Sequence, residues 1–118
     1  MKQVLAVTAM KETIDLSLVR VAGRVRVHFF MTKKDLLSVL SLDNLDVYDI
    51  ILIAPFDWRL PHTANSLTAK LRLRFPGPIV AISSLREWGD NAVAGGADHA
   101  VSRREATQLI ETLLFPPT

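Results

Sequence analysis

Cysteine is absent from this 118-residue chain, and glycine occurs only five times. Without cysteine the chain can form neither a disulfide framework nor a thiolate metal site. The scarce glycines do not make a phosphate-binding loop, because neither Thr8 to Lys11 nor Gly95-Gly96 has the required spacing. The longest apolar runs, such as Ile50 to Pro55, fall far short of the ~20 residues of a membrane-spanning helix. We therefore expect a cytoplasmic protein that is not associated with a membrane.

A strong excess of charge of either sign is also missing. The chain has 14 Lys plus Arg against 12 Asp plus Glu, which gives a net charge of +2. Its small basic groups, such as Arg103-Arg104, fit solvated helix faces as well as they fit phosphate contacts. We expect no direct binding of nucleic acid. The length favours one domain, over residues 1–115, with residues 116–118 as a tail or the start of a linker.

Short apolar segments bounded by polar or turn residues recur along the chain, as is typical of strands buried on both faces of a parallel sheet. Four are clear and a fifth is weaker: Gln3 to Thr8, Val25 to Phe30, Tyr48 to Ala54, Pro78 to Ser83 and, as the weaker one, Asp98 to Val101.

Segments with helical spacing separate these strands. The clearest begins near Arg103 and ends before Pro116, with Ser102 and Glu105 as a predicted capping box. The other predicted helices are Glu12 to Ala22, a helix opened by Thr32 and running through Leu40, a helix capped by Thr63 that ends before Pro76, and Arg86 to Ala94 with an interruption at Gly89.

The first of these helices has an alternative, because Val19 to Val27 also alternates like a hairpin around Ala22-Gly23. We favour the helix because of the order of the elements. Strand, helix and strand at intervals of roughly twenty residues call for a parallel sheet with right-handed crossovers and helices on both faces.

In the order and spacing of its motifs, nearly the whole chain resembles the receiver domains of bacterial two-component response regulators. The matching stretches are Tyr48 to Ile53, Phe75 to Ser84 and Ala94 to Val101, and the last holds an alanine-glycine-alanine-acid run of the receiver type. The resemblance implies a doubly wound (βα)5 fold of the α/β class. Its five parallel strands would have the flavodoxin-like order 2-1-3-4-5.

The resemblance also implies where a phosphorylation pocket would lie. In a working receiver, two acids after the first strand hold magnesium, a hydroxyl residue ends the fourth strand, and a lysine follows the fifth. The acid pair falls on Thr8 and Ala9, the hydroxyl on Ser83 and the lysine on Arg103. Thr8 and Ala9 supply no carboxylate, so we expect neither a metal site nor a cofactor. Arginine keeps the positive charge but not the compact ammonium group of lysine.

The position of the phosphate-accepting aspartate is open to two interpretations. Counting along the third strand places Ala54 there, whereas the receiver-like run Asp-x-x-Leu-Pro selects Asp57. We favour Ala54 because Pro55 lacks the N–H that a central strand needs, so the strand should end before it. Asp57 would then lie about 10 Å further along an extended chain.

Function in open parallel sheets gathers at the carboxyl ends of the strands. The loops expected there carry Phe56, Trp58 and Trp88, which can act as anchors of a contact surface or fold inward and fill the vacated pocket. Leu16 and Val19 of the first helix lie off its predicted buried side and form a second candidate surface.

The leading hypothesis is a pseudo-receiver that acts in signal transduction through phosphorylation-independent protein–protein interaction or dimerisation. Its partner would be another protein, a second copy or an effector domain of a longer chain. The alternatives are a divergent receiver still phosphorylated on Asp57 and a small-ligand sensor that uses the apolar loops. We do not expect an enzyme, because no nucleophile and base pair is legible. His28, His62 and His99 are too scattered to be predicted metal ligands.

Overall fold

The computed structural model describes residues 1–30, 45–55 and 63–117. Within these residues the chain forms five strands and four helices. Their bounds in chain order are β1 (Lys2–Val7), α1 (Lys11–Ser17), β2 (Val25–Phe30), β3 (Ile50–Ile53), α2 (Thr63–Arg72), β4 (Ile79–Ile82), α3 (Arg86–Ala94), β5 (His99–Val101) and α4 (Arg103–Leu114). The predicted helix from Thr32 through Leu40 lies outside the described residues. None of the described helices is long and apolar enough to span a membrane.

All strand pairs of the sheet are parallel, and the strand order is β2-β1-β3-β4-β5. The predicted fold class and strand order are confirmed. In the register, Val7 lies opposite Ile53, Ile53 opposite Ala81, and Ala81 opposite Ala100. The carboxyl ends of β1, β3, β4 and β5 therefore meet along one edge of the sheet, and the loops that follow these strands are brought together there.

Helices cover both faces of the sheet, as predicted. Every residue of β3 and β4 is buried, and alternate side chains enter two separate cores. On one face Leu52 lies in a buried cluster with Ile14 of α1 and Ile110 of α4. On the other face Ile53 shares a buried cluster with Leu67 of α2 and with residues of α3. This double coverage explains why these strands are apolar throughout rather than alternating.

The last helix has the predicted capping box. The backbone N–H of Glu105 donates to the Ser102 hydroxyl at 3.3 Å, and the Glu105 carboxylate accepts from the Ser102 backbone N–H at 3.2 Å. The predicted apolar stripe is buried at Ala106, Ile110 and Leu114. Local spacing alone is enough to specify this helix, because the capping box and the apolar stripe both lie within one amphipathic segment.

The first helix is shorter than predicted. It ends at Ser17, and turns closed by hydrogen bonds from Val21 to Leu18 and from Arg24 to Val21 lead to β2. The prediction that it extends to Ala22 is wrong at that end, because β-branched side chains weaken the helix there and Gly23 turns the chain at φ 85°. The alternative hairpin is also excluded, since β2 pairs in parallel with β1.

The third helix has its predicted bounds but no interruption at Gly89. Gly89 is buried within α3, and a Cβ atom added to it would lie 3.1 Å from the Cβ of Ala100. The glycine thus permits close packing of α3 against β5 instead of breaking the helix. The sequence pattern could not show this, because the contact joins segments that are distant along the chain.

One buried hydroxyl in α2 has no hydrogen-bond partner, that of Thr68. We expect Thr68→Val to raise the free energy of unfolding by about 1 kcal/mol, because an apolar group of the same shape removes an unsatisfied polar atom. Urea denaturation followed by circular dichroism measures the change. The matched control is Thr107→Val in α4, whose hydroxyl donates to the Arg104 carbonyl and which should not stabilise the protein. A loss of stability in Thr68→Val would contradict the interpretation that the buried Thr68 hydroxyl lacks a hydrogen-bond partner.

Candidate functional site

The loops at the carboxyl edge of the sheet line an open cleft of about 600 Å³. This edge is where open parallel sheets place their binding sites. The cleft is lined by Met10 and Thr13 after β1, Pro55 after β3, Ile82 to Leu85 at the end of β4, and Ser102 to Arg104 at the start of α4.

Two of the predicted pocket positions are buried beside this cleft without being part of its described lining. Thr8 and Ala54 follow the paired residues Val7 and Ile53, so they end adjacent strands as expected. The Thr8 hydroxyl accepts the N–H of Met10 at 2.8 Å and is thereby committed to the turn. Ala54 presents only a methyl group. Neither residue can supply a carboxylate oxygen to a metal ion or a phosphoryl acceptor.

The other predicted positions differ in their placement. Ser83 and Arg103 both line the cleft, so the structure brings these two together. The Ser83 N–H donates to the Val101 carbonyl at 3.0 Å, which fixes the end of β4 against β5. Ala9 is exposed and lies outside the described lining of the cleft.

The electrostatic character of the cleft comes from the start of α4. Arg103 and Arg104 are both exposed, and neither has an ion pair or hydrogen-bonded partner for its guanidinium within the described residues. The nearest acid in that turn, Glu105, is tied to Ser102 by the capping box, and these hydrogen bonds lower the pKa of its carboxyl. None of the described residues that line the cleft is acidic. The cleft is therefore basic and able to accept an anion.

Sequence reasoning predicted apolar loops at this edge but did not name the residues that form the apolar part of the described cleft. Met10 and Leu85 line it and remain 46% and 40% exposed, beside the buried Pro55 and Ile82. A signal was present at Leu85, an apolar residue in an otherwise polar loop, and at Met10, which follows the end of β1 closely. Their convergence depends on the paths of two loops, which the sequence pattern does not specify.

Trp88 does not belong to a contact surface, and that prediction is wrong for this chain. The side chain is 1% exposed and lies in the buried cluster with Val7, Ile53 and Ala81. The alternative, in which the side chain folds inward and fills the vacated pocket, agrees with the structure only in part. Trp88 folds inward from α3 into the core, but it is not among the residues that line the cleft.

The residues of the second candidate surface are exposed, and their role in contacts stays a prediction. Leu16 and Val19 are 42% and 58% exposed, whereas Ile14, Leu18 and Val21 are buried, as the helical spacing predicted.

Phe56, Asp57, Trp58 and His62 lie outside the described residues, so their predicted roles stay predictions. The end of β3 at Ile53 agrees with the expectation that the strand stops before Pro55.

Of the described histidines, His28 has a structural contact. The Nδ1 atom of His28 lies 3.0 Å from the Tyr48 hydroxyl, and the two rings pack edge to face. Burial raises the pKa of that tyrosine above its ordinary value. No group of three potential metal ligands occurs among the residues that the structure describes.

Solved structures with this architecture come from proteins that are described in different ways. A protein described as a pilus assembly protein (cpaE) from Burkholderia thailandensis E264 superposes with a TM-score of 0.65 at 19% identity, covering 97% of this chain and 98% of that one. A CheY-like protein (tadZ) from Pseudomonas aeruginosa PAO1 gives 0.67 at 18% identity, covering 100% and 97%. The chain has the fold of a receiver domain. A LuxR family DNA-binding response regulator from Silicibacter pomeroyi gives 0.67 at 22% identity, covering 97% and 92%.

No protein-family model matches the sequence, and comparison with curated proteins gives no match. The receiver fold therefore rests on structure, and a fold of this kind hosts many functions. The function of the domain depends on the residues of the cleft rather than on the fold.

Proposed function

We propose that this receiver-fold domain acts in cytoplasmic signal transduction as a protein-interaction module that does not require phosphorylation, and that it is not an enzyme. One observation carries the proposal. The cleft at the carboxyl edge of the sheet combines exposed apolar side chains with two arginines that have no ion pair among the described residues, and the described part of its lining contains no carboxylate.

Phosphoryl transfer to a receiver needs features that the described edge does not supply. Magnesium takes oxygen ligands from carboxylates, and the transferring phosphoryl group needs an acceptor in line with it. Thr8, Ala9 and, in the favoured interpretation, Ala54 stand at the positions that the resemblance assigns to these carboxylates. A threonine hydroxyl already bonded to Met10 and two methyl groups do not replace them.

The partner is proposed to be a separate protein or an effector domain of a longer chain. The structural neighbours support this breadth, because the same fold occurs in proteins described as a pilus assembly protein and as a DNA-binding response regulator. A second copy of the chain is an alternative partner, for which the exposed Leu16 and Val19 are the candidate surface.

Treatment with acetyl phosphate and magnesium is expected to leave the intact mass of the protein unchanged, because Thr8 and Ala9 supply no carboxylate at the positions of the metal-binding acid pair. Mass spectrometry of the treated chain measures this. The matched sample is Asp57→Asn treated in the same way. A phosphoryl adduct on the wild type that is absent from Asp57→Asn would overturn the proposal and establish a divergent, active receiver.

A further inference from the structure

The apolar part of the cleft is accessible rather than sealed. Pro55 and Ile82 are buried, while Met10 and Leu85 on either side keep nearly half of their side chains exposed. The volume of about 600 Å³ falls within the range of pockets that bind ligands, ~300–1,000 Å³. A cleft of this size accepts one or two large side chains of a partner but not a folded element.

The positive charge beside this apolar surface is not neutralised by an acid among the described residues. Arg20 and Arg24 lie near the Glu111 carboxylate, and Arg72 pairs with Asp98 at 2.7 Å. Arg103 and Arg104 have no such partner within the described residues. They also stand at the amino end of the twelve-residue α4, where the helix dipole adds partial positive charge. The guanidinium groups of two consecutive residues are thus available for bidentate contacts with carboxylates.

We propose that the cleft binds an acidic segment of a partner protein. In this arrangement a large apolar side chain of the partner packs against Met10 and Leu85, and neighbouring carboxylates pair with Arg103 and Arg104. The inference rests on the proposed function, since it names the kind of partner that the interaction module recognises.

Other anions fit the cleft less well. Nucleic-acid binding relies on many phosphate contacts, and two arginines in a chain of net charge +2 provide few. A free inorganic anion would use the arginines but not the exposed apolar surface. A peptide that carries both an apolar side chain and carboxylates uses both halves of the cleft.

Selection of phage-displayed random short peptides on the intact chain tests this proposal. We expect the enriched peptides to combine aspartate or glutamate with a large apolar residue. Their affinity for Arg103→Glu/Arg104→Glu should be at least about tenfold weaker than for the wild type, and it should fall with added salt. Leu85→Ser should weaken the same peptides through the apolar half of the cleft.

The matched control is Arg26→Glu, which reverses the charge of an exposed arginine in β2. This strand is the outer strand on the side of the sheet away from β5. It should leave the affinity unchanged. Arg103→Gln/Arg104→Gln removes the charges without introducing acids, and circular dichroism checks that each variant is folded.

Three outcomes would overturn the inference. They are no enrichment, enriched peptides without acidic residues, and an equal change in peptide affinity for Arg103→Glu/Arg104→Glu and for Arg26→Glu. These outcomes are distinct from failure of the proposed function. A phosphoryl adduct abolished by Asp57→Asn would refute phosphorylation independence, whatever peptides are selected.

Discussion

Trp88→Ala is expected to lower the free energy of unfolding by about 3–5 kcal/mol, the usual cost of truncating a buried tryptophan to alanine. The side chain is 1% exposed and lies within the core between the sheet and the helices α2 and α3. Because domains of this size have only about 5–15 kcal/mol of stability, such a loss brings the protein close to unfolding at 25 °C. Urea denaturation followed by circular dichroism measures it.

The controls separate a core residue from a contact residue. Trp88→Phe keeps most of the apolar volume and should cost clearly less than Trp88→Ala. Leu73→Ala, at a residue that is 82% exposed, should change the stability by less than about 0.5 kcal/mol. Equal stabilities of Trp88→Ala and the wild type would mean that the tryptophan is not in the core.

The case of Trp88 shows where sequence reasoning stops. The sequence places this tryptophan just after the fourth strand, in a region where an aromatic residue can point either way. Once α3 is known to begin at Arg86, Trp88 and Ala92 lie four residues apart on one helical face, and both are buried. The spacing was visible in the sequence, but the short helix did not give a periodic pattern long enough to decide its orientation.

Elements determined by local signals were predicted best. The strand β2 and the helices α3 and α4 have their predicted bounds, and the capping box of α4 needed only the spacing of Ser102 and Glu105. The strand order followed from the resemblance to receivers and not from any local pattern. The end of α1 was missed because Leu18 and Val21 are buried in turns, where they satisfy the same apolar spacing as a longer helix.

The candidate site was predictable in its chemistry but not in its extent. The resemblance indicated Ser83 and Arg103, and both line the cleft. It gave no reason to choose Met10, Leu85 or Arg104, because receivers are recognised by the residues of the phosphorylation pocket. A basic apolar cleft is a property of several loops together, and only the folded chain shows it.

A second strong effect is expected at Arg72, which joins the end of α2 to two loops at the amino edge of β4 and β5. Its guanidinium donates to the carbonyls of Phe75, Gly77 and Gly96 at 2.7–3.1 Å. It also pairs with the Asp98 carboxylate at 2.7 Å. Loss of the guanidinium would leave several partly buried acceptors without a partner.

We expect Arg72→Met to lower the free energy of unfolding by about 3 kcal/mol, since hydrogen bonds from a charged donor each contribute more than neutral ones. Arg72→Lys should recover only part of this loss, because one ammonium group cannot reach all of these acceptors. Chemical denaturation measures both variants. The control is Lys70→Ala, at an exposed residue of the same helical turn, which should cost less than about 0.5 kcal/mol.

The dependence on pH identifies the part of this loss that comes from Asp98. Partial burial by itself raises the pKa of this carboxyl, but the Ile79 N–H, the Arg72 guanidinium and the His99 charge lower it, and the net pKa lies below its ordinary value. A carboxyl with a lowered pKa in the folded state stabilises the protein above its unfolded pKa, and this contribution is lost as the pH falls through the folded pKa. The difference in stability between the wild type and Arg72→Met should therefore narrow between pH 7 and about pH 3. A difference that stays constant over this range would show that Arg72 stabilises the fold through the backbone carbonyls alone, without its ion pair.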